Sequence, residues 1–130
     1  RGTAVGTLAG VLLAVGLNVI NAPVAAALGV SLPTFPLPAA VGLAFGAMAG
    51  DIGASFIKRR SGRQRGAAFP GLDQLDFVVG ALLLAFVFAA DWALSTFTPA
   101  VLAVILIITP LLHVSTNVVA FKIGAKDEPW

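Results

Sequence analysis

Uncharged apolar length is what most limits the folds open to this chain. Thr3 to Ala22 is a run of 20 residues without one charge. As a helix rising about 1.5 Å per residue, it reaches ~30 Å, the thickness of a bilayer's hydrocarbon core. The rest of the chain has the same character. Hydrophobic residues make up 58% of its 130 residues and charged residues 11%, where a soluble domain carries about 25% charged residues. With a mean hydropathy of +0.99, too little polar surface remains to cover a water-soluble fold. An integral membrane protein of one domain, residues 1–130, is therefore expected. Cysteine is absent, which excludes disulfides and thiolate metal sites.

Four apolar segments can be drawn, predicting an all-α, polytopic transmembrane bundle of four spans. The first is Thr3 to Ala22. Pro23 to Pro38 holds four prolines and no charge, and reads as a loop or partly buried excursion, because Pro33, Pro36 and Pro38 oppose a regular helix. The second span runs from Leu37 to Ile57 and is followed by a polar loop from Lys58 to Leu72. The third runs from Asp73 to Ser95. A turn at Thr96–Pro99 leads to the fourth, Ala100 to Ile123, kinked or loosened at Pro110. Residues 126–130 form a polar tail. No cleavable signal peptide is evident. The chain opens at Arg1-Gly2 against a hydrophobic run without an initiator Met, so further residues upstream are expected.

Charge orients this bundle. With four spans, all eight Lys and Arg fall on one side: Arg1, Lys58, Arg59, Arg60, Arg63, Arg65, Lys122 and Lys126. So complete an asymmetry predicts that the basic loop and the C-terminus are cytoplasmic. It also explains the pI near 9.7 without nucleic acid as a partner. Gly42, Gly46 and Gly50, with Gly53 near the same face, recur at helical spacing and suit close helix approach in lipid.

The polar groups gather between Gly50 and Asp76. This stretch holds three of the chain's six carboxylates and five of its eight basic residues. Asp51 lies seven residues before Lys58, roughly 10 Å inside the boundary on the same helix face. An ionised carboxylate at that depth is costly unless paired or bound to a cation, and points to function. Asp73 and Asp76 share a face at the start of the third span, where an N-cap and a dipole partner are the plain alternatives. With Asp51 at similar depth next door, the three converge into an oxygen-ligand set suited to Mg²⁺. Lys58 and Arg59 beside the acids suit phosphate binding; Arg60, Arg63 and Arg65 suit either phosphates or headgroup anchoring. Ser55, four residues after Asp51, ligates or packs. Acids for a divalent cation beside bases for phosphates are what phosphoryl or nucleotidyl transfer requires. His113 and Asn117 pair at i, i+4 and read first as interhelical hydrogen bonding. Asn18 and Asn21 read as structural, and Asp91 beside Trp92 as a solvated anchor. A cation transporter using Asp51, Asp76 and His113, or a non-catalytic scaffold subunit, remain alternatives, although the acids cluster at one end rather than at mid-membrane.

These residues carry a resemblance. Gly50-Asp51, Ser55-Phe56-Ile57-Lys58-Arg59-Arg60 and Pro70-Gly71-Leu72-Asp73-Gln74-Leu75-Asp76 resemble the signature of the CDP-diacylglycerol synthase (phosphatidate cytidylyltransferase) superfamily. The wording Phe69-Pro70-Gly71-Leu72-Asp73 and the end from Asn117 to Trp130 look most like its archaeal branch, the CDP-archaeol synthases. Ala68-Phe69-Pro70-Gly71 stands where the bacterial signature has His-Gly-Gly, which argues against a bacterial phosphatidate substrate. The archaeal branch also has an upstream helix and polar loop ending in Arg-Gly, so a fifth, N-terminal span is expected. The resemblance implies transfer of a cytidylyl group from CTP to a lipid phosphate with isoprenoid ether chains, giving CDP-archaeol and pyrophosphate, with Mg²⁺. It implies Asp51, Asp73 and Asp76 as metal and catalytic residues, together with Lys58. It further implies Lys58, Arg59, Arg60, Ser55, Asn117, Pro70 and Gly71 around the substrates.

Overall fold

A computed structural model describes residues 2–62 and 72–125. Every regular element among them is a helix: α1 (Gly2–Leu28), α2 (Leu37–Arg60), α3 (Leu72–Phe88), α4 (Ala90–Thr96) and α5 (Pro99–Lys122). Three of these, α1, α2 and α5, are long and apolar enough to cross a membrane.

Several boundaries differ from expectation, each for a local reason. α1 does not stop at Ala22 but continues through Pro23 to Leu28. A proline removes one hydrogen bond, and an apolar membrane helix tolerates that loss by local adjustment. The stop comes at Gly29, whose φ of 64° no side chain has to share. There the Val30 N–H reaches back to Ala25 O at 3.2 Å, the return bond of a Schellman ending. The loop is therefore shorter than expected, and α2 begins beyond an extended Pro36 with proline tolerated in its first turn. At its other end α2 outruns Ile57, so that Lys58, Arg59 and Arg60 form its last turn rather than a loop. Cations there face the negative end of the helix dipole.

The third expected span is divided. Ala89 leaves helical geometry at φ −149°, ψ 58°, separating α3 from α4. No proline or glycine forces this break; tertiary contacts hold it. The Trp92 Nε1–H donates to Thr34 O at 2.7 Å, and its ring lies 5.6 Å from Phe35 and 5.5 Å from Phe97, centroid to centroid. The same 29–36 connection is held from α1. Asn18 donates to Phe35 O and accepts from Phe35 N–H, both at 2.8 Å, and Asn21 donates to Pro33 O at 3.0 Å. Asn18 and Asn21 are structural, as their position suggested. α5 starts on a Thr98 cap, runs unbroken through Pro110, and ends at Gly124, φ 74°, with Ala125 N–H on Ala120 O at 2.8 Å.

Packing is by small residues. The buried apolar positions are alanines and one valine: Ala14, Ala39, Ala40, Ala54, Val78, Ala85 and Ala93. Large side chains such as Leu83 and Ile107 stay outward, where lipid rather than protein would cover them. α2 and α3 approach to backbone contact. A Cβ at Gly42 would fall 2.7 Å from Leu84 O, and one at Gly46 or Gly50 would fall inside the carbonyl oxygens of Gly80 and Asp76. The glycine face of α2 therefore does pack against a neighbour, although Gly53 meets nothing within 4 Å. On the other side of α2, Gly10 of α1 lets in the Ala44 methyl.

Candidate active site

The end of α2 and the beginning of α3 meet where the carboxylates stand. Because Gly50 lies directly on the Asp76 carbonyl, the next residue, Asp51, is carried to the first turns of α3. Asp76 is within electrostatic reach of Asp51, Asp73 and Lys58, so acids from two helices share one neighbourhood. Asp51 itself is exposed; Asp73 and Asp76 are partly covered. Asp76 Oδ1 accepts the Phe77 N–H at 2.7 Å, which fixes its carboxylate against its own backbone.

Lys58 answers part of this charge. Its Nζ makes an ion pair with Asp73 Oδ1, with both side chains about three-quarters covered. The pair bridges the end of α2 to the first turn of α3, fifteen residues away in sequence. Arg59 instead turns back along its own helix, its Nε–H donating to Ser55 O at 3.1 Å. Arg59, Arg60 and Ser55 are all exposed. Asn117 lies 3.3 Å from His113 Nδ1, one turn away on α5. Pro70 and Gly71, and the basic Arg1, Arg63, Arg65 and Lys126, lie outside the described residues.

Among the described residues no three acids or imidazoles form a ready metal cage. Mg²⁺ seldom needs one: it binds through one or two carboxylates and completes its shell with waters and substrate phosphates. The donor chemistry here fits that habit. Asp76 stands near Asp51, Asp73 and Lys58, and only Asp73 is paired with the ammonium, so hard oxygen donors are available in ones and twos.

An apolar groove of about 790 Å³ runs away from these acids between α2 and α3. Gly53, Ile57, Leu75, Val79 and Leu83 line it, and Asp76 is its one charged residue. Sequence reasoning missed the α3 half of the helix contact beside this groove. The signal was present in Gly80, where a Cβ would meet Gly50 at 2.8 Å, and in Ala81 and Ala85, small residues one turn apart.

Comparison with known proteins identifies the family. The family model described as CarS-like, CDP-archaeol synthase, matches residues 1–130. CDP-archaeol synthase of Halorubrum lacusprofundi is 71% identical over the whole chain, which covers 72% of that protein. The Haloarcula marismortui protein of the same name is 65% identical over the whole chain, again covering 72%. That of Natronomonas pharaonis is 62% identical over the whole chain, covering 68%. No solved structure matches the chain. The matches run over the whole of this chain, and the chain belongs to the CDP-archaeol synthase family.

Proposed function

We propose that the chain transfers CMP from CTP to an isoprenoid ether lipid phosphate, giving CDP-archaeol and pyrophosphate, with Mg²⁺ held by Asp51, Asp73 and Asp76. The observation that carries this is the continuity of the acid cluster with the apolar groove: Asp76 belongs to both. A lipid whose chains lie along Val79 and Leu83 presents its phosphate at the carboxylates, and the nucleotide arrives from the aqueous side.

The chemistry asks little covalent work of the protein. The lipid phosphate is already anionic, so one of its oxygens attacks the α-phosphorus of CTP without a base. The bond from that phosphorus to the bridging oxygen breaks, and pyrophosphate leaves with the electron pair. Charge neutralisation and in-line placement are the main requirements. Lys58 and Arg59, with Arg60, supply cations for phosphate oxygens; Ser55 and Asn117 supply supporting polar contacts. A divalent cation, when bound, neutralises phosphate charge and orients the pyrophosphate leaving group. In this reading α3 and α4 together make a fourth span. α3 alone rises about 25 Å, and α4 adds two turns at its far end. The basic end of the bundle then faces the cytoplasm, following the charge asymmetry.

The test is pyrophosphate release by the purified protein in lipid micelles, given CTP and an isoprenoid ether lipid phosphate, with and without Mg²⁺. Asp51→Asn and Asp73→Asn should each reduce turnover at least 10²-fold, in line with loss of a metal or electrostatic group. Full turnover in both variants would overturn the assignment.

A further inference from the structure

The only ion pair among the described residues is the one between Lys58 and Asp73. It joins a proposed phosphate ligand to a proposed metal ligand, taking up Asp73 Oδ1 and setting an ammonium where a cation would approach. Its two neighbours on α2 are not so engaged with acids: Arg59 is turned to Ser55 O, and Arg60 is exposed. Lysine is suited to letting go. It binds as a point charge on a flexible four-carbon stem, through a single contact, unlike the two-pronged grip of arginine.

We infer that Lys58 is a displaceable counter-ion, holding Asp73 in the substrate-free protein and exchanging that carboxylate for nucleotide phosphate as the divalent cation binds. This rests on the proposed cytidylyltransferase reading. It gives the pair two tasks. Before substrate arrives, Lys58 offsets part of the negative charge that Asp73 and Asp76 bring together. It also competes with the cation for Asp73, so metal alone binds weakly. When nucleotide and metal enter together, Lys58 moves to a phosphate and the competition ends. Binding of the two ligands is thereby coupled.

The test measures Mn²⁺ affinity of the full-length protein in micelles by electron paramagnetic resonance, first with metal alone and then with a non-hydrolysable CTP analogue. Lys58→Gln should bind Mn²⁺ alone about three- to tenfold more tightly than wild type, the range that loss of a modest competing pair allows. With the analogue present, the same variant should bind Mn²⁺ more weakly than wild type. Arg59→Gln and Arg60→Gln remove equal charge nearby, and should change metal-only affinity less than twofold. Thermal melting confirms that each variant is folded, and Lys58→Met repeats the test should Lys58→Gln fail to fold. The inference is overturned if Lys58→Gln shifts both affinities in one direction, or if the arginine variants match it. Absence of Mn²⁺ binding in wild type and Lys58→Gln alike would instead overturn the metal role of the acids.

Discussion

Gly46→Ala is the sharpest probe of the helix pair that carries the site. The new Cβ would meet Ala81 Cα at 2.8 Å and Gly80 C at 2.9 Å, and would overlap the Gly80 carbonyl oxygen. Carbon atoms rest about 3.5–4.0 Å apart. Everything struck is backbone, so no side chain can rotate away, and α2 and α3 must part by roughly 1 Å. Overpacking of this kind costs about 1–3 kcal/mol. Replacing a helical glycine by alanine also gains up to about 1 kcal/mol of helix propensity. Gly16→Ala isolates that gain, since nothing lies within 4 Å of Gly16. The difference between the two variants is therefore the contact term alone, about 1–3 kcal/mol.

Reversible unfolding in mixed micelles measures that difference. Gly80→Ala should behave like Gly46→Ala, because each glycine occupies the other's space. The double variant should lose less than the sum, by about 0.5–3 kcal/mol, because helices already parted accept the second methyl. Turnover should fall with separation, by about 10²-fold for a 1 Å misplacement of reacting groups. Equal stability of Gly46→Ala and Gly16→Ala would refute the backbone contact. Strict additivity of Gly46→Ala and Gly80→Ala would refute its being shared.

Three further outcomes are expected. Leu83→Trp, which fills the groove from its exposed wall, should raise the KM for lipid phosphate severalfold and leave that for CTP unchanged in steady-state kinetics. Asn18→Ala deletes two hydrogen bonds to the Phe35 backbone and should cost about 1–3 kcal/mol in an unfolding titration, given the polar groups left unmet. Trp92→Phe keeps a ring against Phe35 and Phe97 but removes the donor to Thr34; it should cost about 0.5–1.5 kcal/mol, with little loss of turnover.

What the sequence made readable follows from what is local. The helices around residues 3–22, 37–57 and 100–123 are announced by apolar length; the structure extends the first two, to Leu28 and Arg60, and sets the third at Pro99–Lys122. The glycine spacing on α2 named its close-packed face because small residues at i, i+4, i+8 have one strong physical use in lipid. The break at Ala89 was not readable. It depends on Trp92 meeting Thr34 across 58 positions, and no turn residue marks it locally. Pro23 misled in the opposite sense: the expected span stopped just before it, while the signal that ends α1 is Gly29. In the candidate site, Asp51 was legible as an acid at a costly depth for lipid, and Asp73 and Asp76 as two acids on one face at the start of the next helix. The partner of Asp73 was not, because the Lys58–Asp73 pair requires α2 to continue past Ile57 and the two helix ends to come side by side.

The glycine contacts and the acid cluster answer one physical problem. Three carboxylates brought together repel, and the repulsion acts to separate the helices bearing them. A helix pair held by ion pairs alone would then be tight only in some ligand states, because each arriving phosphate or cation redistributes those pairs. Here the adhesion is supplied elsewhere on the same helices, by backbone contact at Gly42, Gly46 and Gly80, which no ion can displace. Gly50 carries that contact to the edge of the cluster, onto Asp76 itself. The charges are thus free to exchange partners over a scaffold whose spacing they do not set, and electrostatic catalysis gains most from sites assembled in advance. This separation of roles predicts that substitutions at Lys58 move binding equilibria far more than melting temperature, and that substitutions at Gly46 move both.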